Sequence, residues 1–115
     1  MEYKIHQTNT NEIAEIVTAD VQIGDAQTFL EIMMNAPCDR IAIRQESLSE
    51  TFYDLRSGLA GEILQKVVNY RMKLAIVGDF SVYTSKALHD FIYESNKSST
   101  IVFTKTIAEA ISKIG

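Results

Sequence analysis

The residues best suited to chemistry stand together in one segment, residues 52–61, which reads Phe-Tyr-Asp-Leu-Arg-Ser-Gly-Leu-Ala-Gly. It offers a phenol at Tyr53, a carboxylate at Asp54, a guanidinium at Arg56 and a hydroxyl at Ser57. A polar and aromatic group of this kind, placed where a strand leads into a helix, is where α/β folds commonly bind ligands or partners. The segment therefore predicts a binding surface, but it suggests no catalytic mechanism.

A second group, Asp79, Phe80 and Tyr83, follows the next predicted strand. In a parallel sheet the loops after successive strands emerge at one edge, so the two groups could line a common pocket. One interpretation is a protein interface with aromatic anchors. The alternative is a small polar-ligand binder or a weak enzyme whose pocket is lined by Tyr53, Asp54, Arg56 and Asp79. Local turn chemistry would also explain both aspartates.

Ser57 has two interpretations. Its hydroxyl can cap the helix that follows, which stabilises a helix by about 1 kcal/mol. Phosphorylation there would instead add a charge of about −1.5 to −2. That charge would lie at the positive end of a helix dipole, beside Arg56. We favour the cap and keep phosphorylation as a second hypothesis.

The other reactive side chains do not form a recognisable site. His6 and His89 have no neighbouring ligand at metal spacing, and Cys38, with no base near it in sequence, is predicted to be a structural thiol. Gly58 and Gly61 do not have the spacing of a phosphate-binding loop, and we expect them to let their helix pack closely on the sheet. We predict no metal and no cofactor.

Composition narrows the function classes. The chain has 115 residues, 46% of them apolar and 23% charged, which is typical of one folded domain over residues 1–115. A net charge of −4 disfavours binding to nucleic acid or to an anionic membrane. A single cysteine and the absence of a signal-peptide pattern favour a cytoplasmic location.

Hydrophobic periodicity predicts the element order β-β-α-β-α-β-α-β-α. A hairpin over residues 3–8 and 12–18 comes first, and strands then alternate with helices. This order predicts an α/β fold with a mixed, mostly parallel sheet and right-handed crossovers. Residues 46–56 are predicted to form the longest loop, and the first strand leaves a sheet edge through which two copies could pair as a homodimer.

The element order and the 52–61 segment resemble the STAS domain of sulphate transporters and anti-sigma factor antagonists. Those proteins carry Phe-x-Asp-Ser-Ser-Gly-Leu-Gly between the third strand and the second helix. Phe52 and Asp54 match its first half, and Ser57-Gly58-Leu59 match its second half, with one residue inserted between them. Residues 106–110, Thr-Ile-Ala-Glu-Ala, are similar to the start of the last STAS helix.

The STAS resemblance implies a non-catalytic regulatory module that binds a protein partner. Its docking surface would be the Glu46–Ser57 loop together with the Asp79–Tyr83 turn, and phosphorylation of Ser57 would control it. Residues 52–66 and 73–81 also resemble a bacterial family of unknown function, domain of unknown function 4180. That second resemblance implies no activity.

Overall fold

Five strands form one mixed sheet in the computed structural model of the chain, which describes residues 1–18 and 21–115. β1 (Tyr3–Gln7) pairs antiparallel with β2 (Glu12–Ile16). β3 (Arg40–Arg44), β4 (Lys73–Val77) and β5 (Ile101–Thr104) follow in parallel, in the same order as along the chain. The predicted α/β class and the mixed, mostly parallel sheet are confirmed.

Helices connect the parallel strands. The side chains of Asp25 and Ser85 cap two of them, accepting hydrogen bonds from the backbone N–H groups of Thr28 (2.7 Å) and Leu88 (3.2 Å). No helix in the described ranges is long and apolar enough to cross a bilayer. The α-helices are α1 (Ala26–Asn35), α2 (Glu50–Tyr53), α3 (Leu59–Asn69), α4 (Lys86–Asn96) and α5 (Ile107–Ile114).

Residues 46–56 are not the continuous loop that the sequence predicts. The short helix α2 occupies their middle, and its Phe52 is fully buried while Tyr53 is 4% exposed. A helix of four residues is too short to be stable alone or to show a hydrophobic period. Burial of these two aromatic rings in the domain core therefore holds the turn in place.

The two faces of the sheet are covered differently. Buried side chains of α1, α3 and α4 pack on one face, against large strand residues such as Ile43 and Ile76. In the described part of the chain, only α5 covers the other face, where it lies over Ala42, Ala75 and Val102. Because strand side chains alternate between faces, small residues at 42 and 75 let α5 approach the sheet closely.

The carboxyl ends of β3 and β4 lie side by side, since these strands pair along their whole length from Arg40–Lys73 to Arg44–Val77. The segments that leave them therefore meet at the same edge of the sheet. These segments contain both groups of candidate site residues.

Candidate functional site

Gln45, the first residue after β3, ties the two strand exits together. Its Oε1 accepts a hydrogen bond from the backbone N–H of Asp79 (2.9 Å), and its Nε2 donates to the hydroxyl of Tyr83 (3.1 Å). Its backbone carbonyl accepts a hydrogen bond from the hydroxyl of Tyr53 (2.7 Å). One residue thus positions α2 and the turn after β4 relative to each other.

Gly78 makes this arrangement possible. A Cβ atom at residue 78 would lie 2.4 Å from both Cβ and Oε1 of Gln45, so only glycine allows the Gln45 side chain to cross over the end of β4. Sequence reasoning missed both residues. The one available signal was a glycine directly after an apolar strand, and it does not identify the side chain that needs the space.

The aromatic residues form a packed group beneath the edge. The rings of Tyr53 and Tyr83 stack with their centroids 4.6 Å apart and an interplanar angle of 17°. Phe80 meets Phe103 edge to face at 5.1 Å. Burial raises the pKa of the Tyr53 phenol far above its ordinary value, with smaller contributions from Tyr83 and nearby carboxylates. Tyr53 therefore lies in the core, and the residues around it form the surface.

Each candidate aspartate closes its own turn. Asp54 accepts hydrogen bonds from the backbone N–H (3.2 Å) and Nε (3.1 Å) of Arg56, and the Arg56 guanidinium holds the pKa of Asp54 below its usual range. Asp79 accepts from the hydroxyl (2.6 Å) and backbone N–H (3.0 Å) of Ser81, and these bonds lower its pKa too. Both carboxylates stay ionised and are engaged locally.

Ser57 connects α2 to α3. Its hydroxyl donates to the backbone carbonyl of Thr51 (2.7 Å) and accepts from the backbone N–H of Leu59 (3.2 Å). The expected N-cap role of Ser57 is wrong, because Gly58 occupies the N-cap position of α3 and no described side chain caps that helix. Gly58 follows in the left-handed conformation (φ 81°), which favours glycine. The expected packing role of Gly61 is wrong, because a Cβ there would have no atom within 4 Å.

Asp54 and Asp79 each line an open depression at the carboxyl edge. The first has a volume of about 500 Å³ and the second about 580 Å³. Asp54 lines the first and Asp79 the second, so the structure does not bring the two aspartates into one pocket. Within the described residues, no three His, Cys, Asp or Glu side chains cluster closely enough to hold a metal ion. The first depression is lined by Glu50, Tyr53, Asp54, Arg56, Tyr83 and Ser85.

Comparison with known proteins identifies one family. A family profile described as "Domain of unknown function (DUF4180)" matches residues 8–114. No curated protein and no solved structure matches the chain.

Replacing Gly78 with alanine should destabilise the protein by about 1–3 kcal/mol, because the new Cβ displaces Gln45. The matched control is Gly61→Ala, which adds the same atom in open space within α3. That variant should gain about 0.5–1 kcal/mol from reduced backbone entropy. Urea denaturation measures both, and equal effects of the two substitutions would contradict the role of Gly78.

Tyr53→Phe should cost about 1 kcal/mol at neutral pH through loss of the bond to Gln45. The pKa of Tyr53 is raised in the folded state, so its contribution to stability is complete below its unfolded pKa of about 10 and declines as the pH rises further. The gap in free energy of unfolding between wild type and variant should therefore narrow between about pH 9 and about pH 11.

Urea denaturation across this pH range measures the gap, with Tyr93→Phe as the control. Tyr93 is 65% exposed, so its substitution should cost much less than Tyr53→Phe at neutral pH. A constant gap for Tyr53→Phe would be inconsistent with a buried phenol.

Proposed function

The chain belongs to the DUF4180 family, and we propose that it is a regulatory protein-interaction module. We call its docking surface the exit surface, which comprises residues 46–57 and 79–83. The observation that carries the proposal is the link made by Gln45, which holds two loops as one preformed surface.

Preorganisation supports a binding role. The stacked rings of Tyr53 and Tyr83 and their bonds to Gln45 fix the floor of the exit surface before any partner arrives. A surface that is already ordered loses less conformational entropy on binding than a mobile loop would. Because the packed tyrosines are already fixed, less of the binding energy of the exposed groups is spent on ordering the surface.

The exposed groups are a mixture suited to a protein partner. Val82 is 64% exposed, and the side chains of Arg56 and Asp54 are 92% and 48% exposed. Protein interfaces commonly combine an apolar or Arg contact with a polar rim. The exit surface has these components within two short segments.

The shape of the edge favours a macromolecule over a small ligand. Small-molecule sites enclose most of the ligand and direct several free polar groups at it. The two depressions that Asp54 and Asp79 line are open, and both carboxylates are already bonded within their own turns. These features weigh against the alternative of a polar-ligand binder or a weak enzyme.

Phosphorylation of Ser57 would regulate the exit surface in this proposal, as the resemblance to anti-sigma factor antagonists implies. A phosphoryl group would replace the hydrogen that Ser57 donates to Thr51, so the link between α2 and α3 would be lost. The added charge of about −1.5 to −2 would lie beside the Asp54–Arg56 pair. Docking would weaken through both changes.

Site-specific photo-crosslinking in the source cell tests the docking surface. A photoreactive amino acid at Val82 should give a discrete cross-linked species, and adding Arg56→Ala should reduce its yield. The control position is Val68, which is 50% exposed but lies on α3, outside the exit surface. No species at Val82, or the same species from both positions, would refute the proposed surface.

Intact-mass analysis of protein from the source cell tests the regulation. We expect a fraction carrying one phosphate group, which Ser57→Ala removes and Ser81→Ala, at another exposed serine of the exit surface, does not. Ser57→Asp should lower the yield of the Val82 cross-link. Protein that is never phosphorylated at Ser57 under any growth condition would overturn the regulatory part and leave the docking surface to be judged by cross-linking.

A further inference from the structure

The two edges of the sheet differ in how their outward backbone groups are satisfied. At the β5 edge, the side-chain amide of Asn96 on α4 lies against Phe103. Its Oδ1 accepts a hydrogen bond from the Phe103 N–H (2.7 Å), and its Nδ2 donates to the Phe103 carbonyl (3.2 Å). This edge is therefore blocked at Phe103 by a side chain of the same domain.

The β1 edge is open. The backbone N–H of Thr8 donates to the carbonyl of Asn11 (2.8 Å), and the backbone N–H of Val17 donates to the carbonyl of Glu2 (3.0 Å). Backbone groups alternate in direction along an antiparallel strand, so the even-numbered residues of β1 face β2. Tyr3, Ile5 and Gln7 consequently point their N–H and C=O groups outward, and in the described part of the chain no group bonds to them.

The side chains along β1 leave this edge accessible. Ile5 is 44% exposed and Met1 is 57% exposed. A groove of about 490 Å³ lies between β1 and α1, with Tyr3 and Ile32 in its wall. Proteins often protect an open edge with a proline, and β1 contains none.

We propose that β1 pairs antiparallel with β1 of a second copy of this chain, across a twofold axis at Ile5. Ile5 then faces Ile5 of the second copy, and Tyr3 faces Gln7. Every outward N–H and C=O group of the strand meets an outward group of the other strand. The partner is a second copy because the edge is complementary to itself under this rotation, as a twofold interface requires.

Side-chain chemistry selects this register over its neighbours. An axis at Lys4 would place two lysines opposite each other, which is unfavourable, and would carry Gln7 beyond the partner strand. An axis at His6 would place Tyr3 beyond the end of the partner strand. With the axis at Ile5, Lys4 faces His6 of the second copy, whose ring is bonded to Glu15 (2.7 Å). The apolar pair then lies on the α1 side of the sheet.

Analytical ultracentrifugation of the whole chain tests the association. We expect wild type to sediment as a dimer of the 12.9 kDa chain, and Ile5→Pro to sediment as a monomer. The N–H that proline removes points away from β2, so the monomer should keep its fold, as circular dichroism would report. Ile5→Thr retains the N–H and should remain dimeric. A monomeric wild type, or a dimer that survives Ile5→Pro, would overturn the proposal.

Isotope-filtered NMR on a mixture of labelled and unlabelled wild-type chains reads the register without any substitution. Facing residues that are not hydrogen-bonded bring their Cα atoms to about 4.5 Å. An intermolecular contact between the Hα atoms of Lys4 and His6 is therefore expected. Contacts from Lys4 to Lys4 or from His6 to His6 would place the axis elsewhere, and no contact along β1 would exclude this interface.

Discussion

The arrangement of the carboxyl edge depends on the side-chain amide of Gln45. Backbone groups leave the sheet ladder where β3 and β4 end, and each needs a new partner if it is shielded from water. An amide side chain carries both a donor and an acceptor, so Gln45 can bond the backbone of Asp79 and the hydroxyl of Tyr83 at once. A glutamate in this position would lack the donor, and an asparagine would be one methylene shorter.

The uneven covering of the sheet follows from where small residues stand. Ala42 and Ala75 let α5 lie close to β3 and β4. However, α5 has only eight residues, and its buried residues contact β2 near its start, at Ile13. Glu15, further along β2 on the same face, is nearly buried, and its carboxylate bonds His6 (2.7 Å) and pairs with Arg44 (3.6 Å). Polar side chains thus complete a face that one short helix cannot cover.

Features set by local sequence were predictable. The alternation of strands and helices is visible in the apolar periods, and Asp25 and Ser85 mark helix starts because their side chains bond nearby N–H groups. Features that depend on contacts between distant segments were not predictable. No local pattern distinguishes a buried Tyr53 from an exposed one, because its burial depends on Tyr83 and Phe80, which arrive from another strand exit. The roles of Gln45 and Asn96 were not predictable for the same reason, because their hydrogen-bond partners lie in other segments of the chain.

Asn96 limits how far copies of this domain could assemble. A sheet with two open edges can add strands at both ends and extend indefinitely, as amyloid fibrils do. Because the Asn96 amide occupies the outward groups of Phe103, the β5 edge is interrupted, and among the described strands β1 is the edge left open along its length. In the dimer proposed above, each molecule would use its β1 edge once, so edge-to-edge growth would end at two copies. A single side-chain amide would thereby separate a closed dimer from an open polymer.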